Sequence, residues 1–78
     1  MYYTYVFKSS LDNKLYIGFC NGLKRRIKEH NDGLVPATKP RRPMMLVYYE
    51  ACLSKDKAVV REKYFKSGFG RRFLKNRI

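Results

Sequence analysis

The stretch from Leu15 to Asn31 places the tightest limits on how this chain can fold. Leu15-Tyr16-Ile17-Gly18-Phe19-Cys20 is β-branched and aromatic, and it reads as a strand. Asn21 then offers an N-cap oxygen, and Leu23, Ile27 and Asn31 recur at four-residue spacing, which reads as a helix. At about 100° per residue, Arg26 and His30 fall beside the Leu23/Ile27 stripe, while Lys24, Arg25, Lys28 and Glu29 turn to water. A guanidinium and an imidazole at the rim of a buried face cost free energy unless something uses them.

The rest of the chain arranges itself around that stretch. Tyr2 to Phe7 is a first strand, with Tyr3, Tyr5 and Phe7 on one face and Tyr2, Thr4 and Val6 on the other. Ser9-Ser10-Leu11-Asp12-Asn13 is turn chemistry, so the strand from about Lys14 to Cys20 returns as a hairpin. Both strands are apolar or aromatic on both faces, which predicts packing on each side of the sheet. The first helix, about Gly22 to Asn31, stops at Asn31-Asp32-Gly33. Leu34 to Pro43 holds all three prolines and the basic run Lys39-Pro40-Arg41-Arg42, and it reads as an ordered but irregular loop. Met44 to Ala51 is a third strand. Ser54 or Asp56 caps a second helix to about Ser67 with Gly68 as its stop, and Phe69 to Ile78 is a short terminal helix. The order β-β-α-β-α-α predicts one α+β domain over residues 1–78, a three-stranded antiparallel sheet flanked by helices.

Charge narrows the partners. Eighteen Lys and Arg stand against 6 Asp and Glu, a formal +12 on 78 residues. That self-repulsion disfavours a compact state, and a polyanion is its natural counterpart, nucleic acid first. The proline-restricted Lys39, Arg41 and Arg42, with no acid among them, read as phosphate contacts or as a solvated loop. Arg71 and Arg72 add basic character to the terminal helix. Two cysteines and one histidine lack the spacing of a structural zinc site, so Cys20 and Cys52 read as reduced, half-buried thiols of a cytoplasmic protein. No signal-peptide pattern or membrane-length apolar run is present.

The few acids can be taken one by one. Asp12, Asp32 and Asp56 sit at turns or caps, Glu29 pairs at i,i+4 with Arg25, and Glu50 ends a strand. Glu62 alone shares a helix face with Ala58 and Phe65, inside an apolar stripe where a carboxylate needs a partner. A structural ion pair with Arg26 or Lys66 is one such partner. No second acid accompanies it, which excludes a two-metal carboxylate cluster.

Tyr16-Ile17-Gly18 resembles the second signature element of the GIY-YIG nucleases, and Tyr3-Thr4-Tyr5 resembles the first, with Tyr5 in its tyrosine position. Arg26, eight residues after Gly18, His30, four later, and Glu62 on a later helix complete an ordered set. The resemblance covers essentially the whole chain and is closest to small single-domain members related to the nuclease module of the UvrC repair protein. It implies a DNA endonuclease that hydrolyses phosphodiester bonds with a single Mg²⁺ (or Mn²⁺). In that reading Glu62 holds the ion, whose retained waters complete its shell. Arg26 grips a non-bridging phosphate oxygen, Tyr5 and Tyr16 line the site, and either Tyr16 or His30 is the base. Gly18, without a side chain inside a strand, permits close approach by another group, and the phosphate is a candidate. The chain departs from the family pattern at Tyr3-Thr4, at Phe19 where several relatives carry lysine, and in having only Asn76 for a late asparagine. Two other readings share the composition: a non-catalytic nucleic-acid-binding module of the same fold, and a basic RNA-associated structural protein. Monomer or weak dimer, with a protein partner supplying specificity, is the expected state.

Overall fold

Three strands build the sheet: β1 (Tyr2–Ser9), β2 (Leu15–Cys20) and β3 (Met44–Cys52), hydrogen-bonded in the order β2-β1-β3 and all antiparallel. In the computed structural model, which describes residues 1–78, three helices follow as α1 (Leu23–Asn31), α2 (Lys55–Lys66) and α3 (Gly68–Lys75). The order β-β-α-β-α-α is the one the sequence predicts, with an added 3₁₀ turn at Lys39–Arg41.

The central strand explains its own composition. Its alternating side chains face two separate cores. On one face Tyr5 and Phe7 pack with Met44, Tyr16, Leu46 and the α1 residues Leu23 and Ile27. On the other, Val6 packs with Ile17, Phe65 and Leu74, and Tyr48, Tyr64 and Phe73 close around them. Each large side chain so buried stabilises by roughly 1.5–3 kcal/mol, which is how so short a chain holds a two-sided sheet. The register sets Gly18 opposite Tyr5, and Tyr16 opposite Phe7. On the β3 side a bulge between Val6 and Phe7 shifts the pairing by one residue.

Helix ends depart from the expected chemistry in three places. Gly22, not Asn21, is the N-cap of α1, because the Asn21 side-chain oxygen accepts from Arg25 Nη2 at 2.7 Å instead. Ser54 caps α2 as expected, accepting from the Lys57 amide. Ser67 both ends α2 and caps α3, accepting from the Gly70 amide, so Gly68 opens the terminal helix rather than merely stopping its predecessor. A Cβ on Gly70 would run into the Tyr64 carbonyl, so the two helices meet closely only because position 70 has none. The terminal helix begins one residue earlier than Phe69 and stops at Lys75, short of Ile78.

The proline-rich loop is tied to the hairpin at several points. Ser9 Oγ donates to the Arg41 carbonyl at 2.7 Å, and the Ser10 amide donates to the Pro43 carbonyl. Asn31 exchanges two hydrogen bonds with the backbone of Met44, joining the end of α1 to the start of β3. These bonds carry Thr38 inward until it is fully buried.

Candidate active site

Tyr5 stands at the middle of β1 with its ring aimed across β2, and it is 1% exposed. The ring passes over Gly18, where a Cβ would collide with the phenol. From the sequence Gly18 permits close approach by another group, with a phosphate as a candidate; the group that approaches it is the Tyr5 side chain, and Gly18 itself is buried. The glycine of the Tyr-Ile-Gly element therefore makes room for the tyrosine of the first element.

Two α1 residues meet the Tyr5 hydroxyl. Arg26 Nε donates to it at 3.1 Å, and His30 Nε2 lies 3.2 Å from it. Arg26 and His30 are one turn apart, so α1 delivers both from the same edge, as the helical spacing predicts. His30 goes further inside than an edge position suggests and is fully buried. Its ring meets Phe7, Tyr16 and Tyr5 edge-on, with centroids 4.7, 5.2 and 5.7 Å away. Its Nδ1 lies 2.7 Å from Thr38 Oγ1. Tyr16 keeps part of its surface in solvent.

Burial dominates the electrostatics of this cluster. Desolvation, with the Arg26 charge adding to it, pushes His30 down from 6.5 to about 4. The imidazole is therefore neutral near pH 7. Burial also raises the Tyr5 phenol above its ordinary value, and the Arg26 hydrogen bond opposes the rise without reversing it. Tyr5 is a protonated phenol in this state. The Cys20 thiol is likewise pushed up by burial, which keeps it from being a reactive thiolate. Both cysteines are free and half-buried, as the sequence predicts.

Beyond Tyr5, Arg26 opens onto a groove of about 410 Å³ that also takes in Tyr2, Asn21, Arg25, Glu29 and Lys55. Arg26 Nη1 pairs with Glu29 at 3.3 Å, with both side chains about one-third exposed. The expected Glu29–Arg25 pair does not form; Glu29 turns to the residue three positions before it, and Arg25 to Asn21. Three cations and one carboxylate leave the groove positive, which suits a phosphate.

Glu62 does not join the cluster by direct contact. It sits on α2, which packs across β1 and β2 on the sheet face opposite α1. Its side chain is 18% exposed, accepts no hydrogen bond, and has Lys66 Nζ at 3.8 Å as its ion-pair partner. The structural pairing foreseen with Lys66 is thus present, but it is too long for a hydrogen bond.

The basic residues expected to contact nucleic acid divide into two groups. Arg41 is taken up by Asp12 at 3.0 Å and by the Lys14 carbonyl at 3.1 Å, and Arg42 by the Lys39 and Asn31 carbonyls. Both hold the loop rather than face solvent freely. Lys39, Arg71 and Arg72 are exposed, with Arg72 over the Phe69 ring and Arg71 beside Lys8 and Lys75 in a separate groove. Asn76 ends α3 in the open.

Thr38, Glu29 and Lys55 belong to the site or its groove, and sequence reasoning did not single them out. The i,i+3 spacing of Arg26 and Glu29 was a usable signal. No spacing rule links Thr38 to His30, because an irregular loop connects them.

The GIY-YIG catalytic domain pattern matches residues 1–76 of this chain. The UPF0213 protein YazA of Bacillus subtilis is 42% identical over 66 residues, a match that covers 83% of this chain and 66% of that protein. A UPF0213 protein of Clostridium perfringens is 43% identical over 67 residues, covering 85% and 71% respectively. This chain spans about two thirds of the length of the Bacillus subtilis relative. The solution NMR structure of a UPF0213 protein from Bacillus halodurans shares the fold at a TM-score of 0.59 and 31% identity, over 97% of this chain and 84% of that one.

Proposed function

The chain belongs to the GIY-YIG nuclease family, and from that membership we propose that it is a DNA endonuclease that hydrolyses phosphodiester bonds with one divalent ion, Mg²⁺ or Mn²⁺. The observation that carries the proposal is the Arg26 guanidinium, fixed through Nε on the Tyr5 hydroxyl at 3.1 Å while the same side chain lines a positive groove. A guanidinium oriented through Nε, with Nη1 on a part-exposed carboxylate at 3.3 Å, can exchange that carboxylate for a phosphate oxygen while keeping its aim.

Glu62 fits the role of ion ligand. Its side chain is largely covered, and its carboxylate receives no hydrogen bond from the protein and is only loosely neutralised by Lys66. One carboxylate with several retained waters suits Mg²⁺. A cage of several ligands does not fit, since no three His, Cys, Asp or Glu side chains cluster anywhere. When bound, such an ion polarises a phosphoryl oxygen and lowers the pKa of its water.

The chain's own groups do the rest. Arg26 grips a non-bridging oxygen and offsets the charge that develops on it, releasing Glu29 from its 3.3 Å pair. Tyr16, partly open to solvent, is the group we assign to activating the attacking water. His30 is fully buried with both ring nitrogens engaged, and it supports the site from behind. Because β2 is an edge strand, a ligand along that edge is approachable from both faces of the sheet, from α1 on one and α2 on the other. Lys39, Arg71 and Arg72 are the exposed cations we assign to flanking phosphates.

Nicking of supercoiled plasmid with and without Mg²⁺ tests the proposal. Glu62→Ala and Arg26→Ala are expected to reduce cleavage on the order of 10²-fold or more. Equal cutting by wild type and both variants would mean that the site lies elsewhere. Salt-sensitive DNA binding with no cleavage under either ion would favour the binding-module reading.

A further inference from the structure

A chain of four buried or half-buried side chains runs from the loop to the groove: Thr38, His30, Tyr5 and Arg26. The two contacts to the His30 ring leave their direction open until the protons are counted. Arg26 Nε carries a hydrogen and donates, so the Tyr5 oxygen accepts there. The Tyr5 proton then needs an acceptor, because the residue is 1% exposed and a buried O–H without a partner is costly. His30 Nε2 at 3.2 Å is the remaining hydrogen-bond partner of that hydroxyl, so it must be bare. The imidazole is neutral, so its proton is on Nδ1 and goes to Thr38 Oγ1 at 2.7 Å. Thr38 in turn donates to the Val35 carbonyl at 3.4 Å. Every buried donor has an acceptor in this arrangement, and no buried side-chain N or O is left unpartnered. The opposite tautomer would place two donors on the Tyr5 oxygen and strand the phenol proton.

We infer that Thr38 is a positioning residue: it holds His30 with its proton on Nδ1, so that Tyr5 donates inward and turns its lone pair to Arg26. The loop thereby sets the aim of the guanidinium through two intermediaries. The consequence for cleavage rests on the nuclease reading above, whereas the tautomer does not.

His30 is the only histidine, so ¹⁵N NMR of the full chain near pH 7 reports it without assignment ambiguity. Wild type is expected to show Nε2 as the unprotonated nitrogen and Nδ1 as the protonated one. Thr38→Ser should keep that pattern. Thr38→Val, which removes the acceptor, should shift the proton toward Nε2 and lower Mg²⁺-dependent nicking by roughly tenfold, with Thr38→Ser restoring it. A wild-type spectrum with the proton on Nε2 overturns the inference, as does a Thr38→Val spectrum unchanged from wild type. Should Thr38→Val fail to fold, Thr38→Ala makes the same test: a proton moved toward Nε2 supports the inference, and a spectrum unchanged from wild type overturns it. The predicted tautomers with no cleavage by wild type would instead defeat the nuclease reading.

Discussion

Gly18 stands directly across the β1–β2 ladder from Tyr5, and the phenol fills the space that a side chain at position 18 would need. Two signature elements of the chain are thus one packing unit. Gly18→Ala is expected to cost about 1–3 kcal/mol from overpacking, measured by urea denaturation. It should also displace the Tyr5 hydroxyl from Arg26, so cleavage should fall further than the stability loss accounts for.

His30 makes stability depend on pH. Its folded value of about 4 lies below the ordinary 6.5, so the unfolded chain binds the proton more readily. The native state should therefore lose stability as pH falls from about 6.5 to about 4, by on the order of 3 kcal/mol if the whole shift is expressed. His30→Gln should flatten the dependence in that window. Urea midpoints at pH 7, 6, 5 and 4 provide the check.

Arg26→Lys keeps the charge and loses the fork. Lysine cannot hold the Tyr5 hydroxyl with one nitrogen and a phosphate with two others. Cleavage should fall about 10–100-fold, while DNA affinity at fixed salt should change little. A plasmid-nicking rate beside a filter-binding isotherm in EDTA separates the two effects.

On the opposite sheet face, Arg61 grips Glu50 through two bonds of 2.9 and 2.8 Å and lies over Tyr64, Phe65 and Phe73. Both side chains of the pair are about one-third exposed, so water screens the charge and the stacked stem carries more of the effect. Arg61→Ala should lower stability by about 1–3 kcal/mol, and Glu50→Gln by less. Neither should alter cleavage measured well below the melting temperature.

Strand and helix identities were readable because the chain states them twice, in periodicity and in punctuation. Alternation along Tyr2 to Phe7 sorted the faces of β1 correctly, and the four-residue spacing from Leu23 to Asn31 put Arg26 and His30 on one edge. Local competition decided what was misread. Asn21 could cap the helix or accept from Arg25, and the longer side chain wins it. Glu29 had arginines at both i−3 and i−4, and periodicity does not choose between them. Arg41 and Arg42 looked free because their acceptors, Asp12 and carbonyls of the hairpin and loop, lie far away in sequence or in backbone. Depth was the least legible quantity. The spacing puts His30 near the core, but only the loop folding back with Thr38 makes it inaccessible.

Ser67 belongs to two helices at once, closing α2 with its amide and opening α3 with its hydroxyl. A corner built on one residue has no slack, and Gly70 seats the second rod directly on the first. Any side chain at position 70 would have to prise the two rods apart against the Tyr64 carbonyl, so the angle of the corner is written into a single missing methyl group.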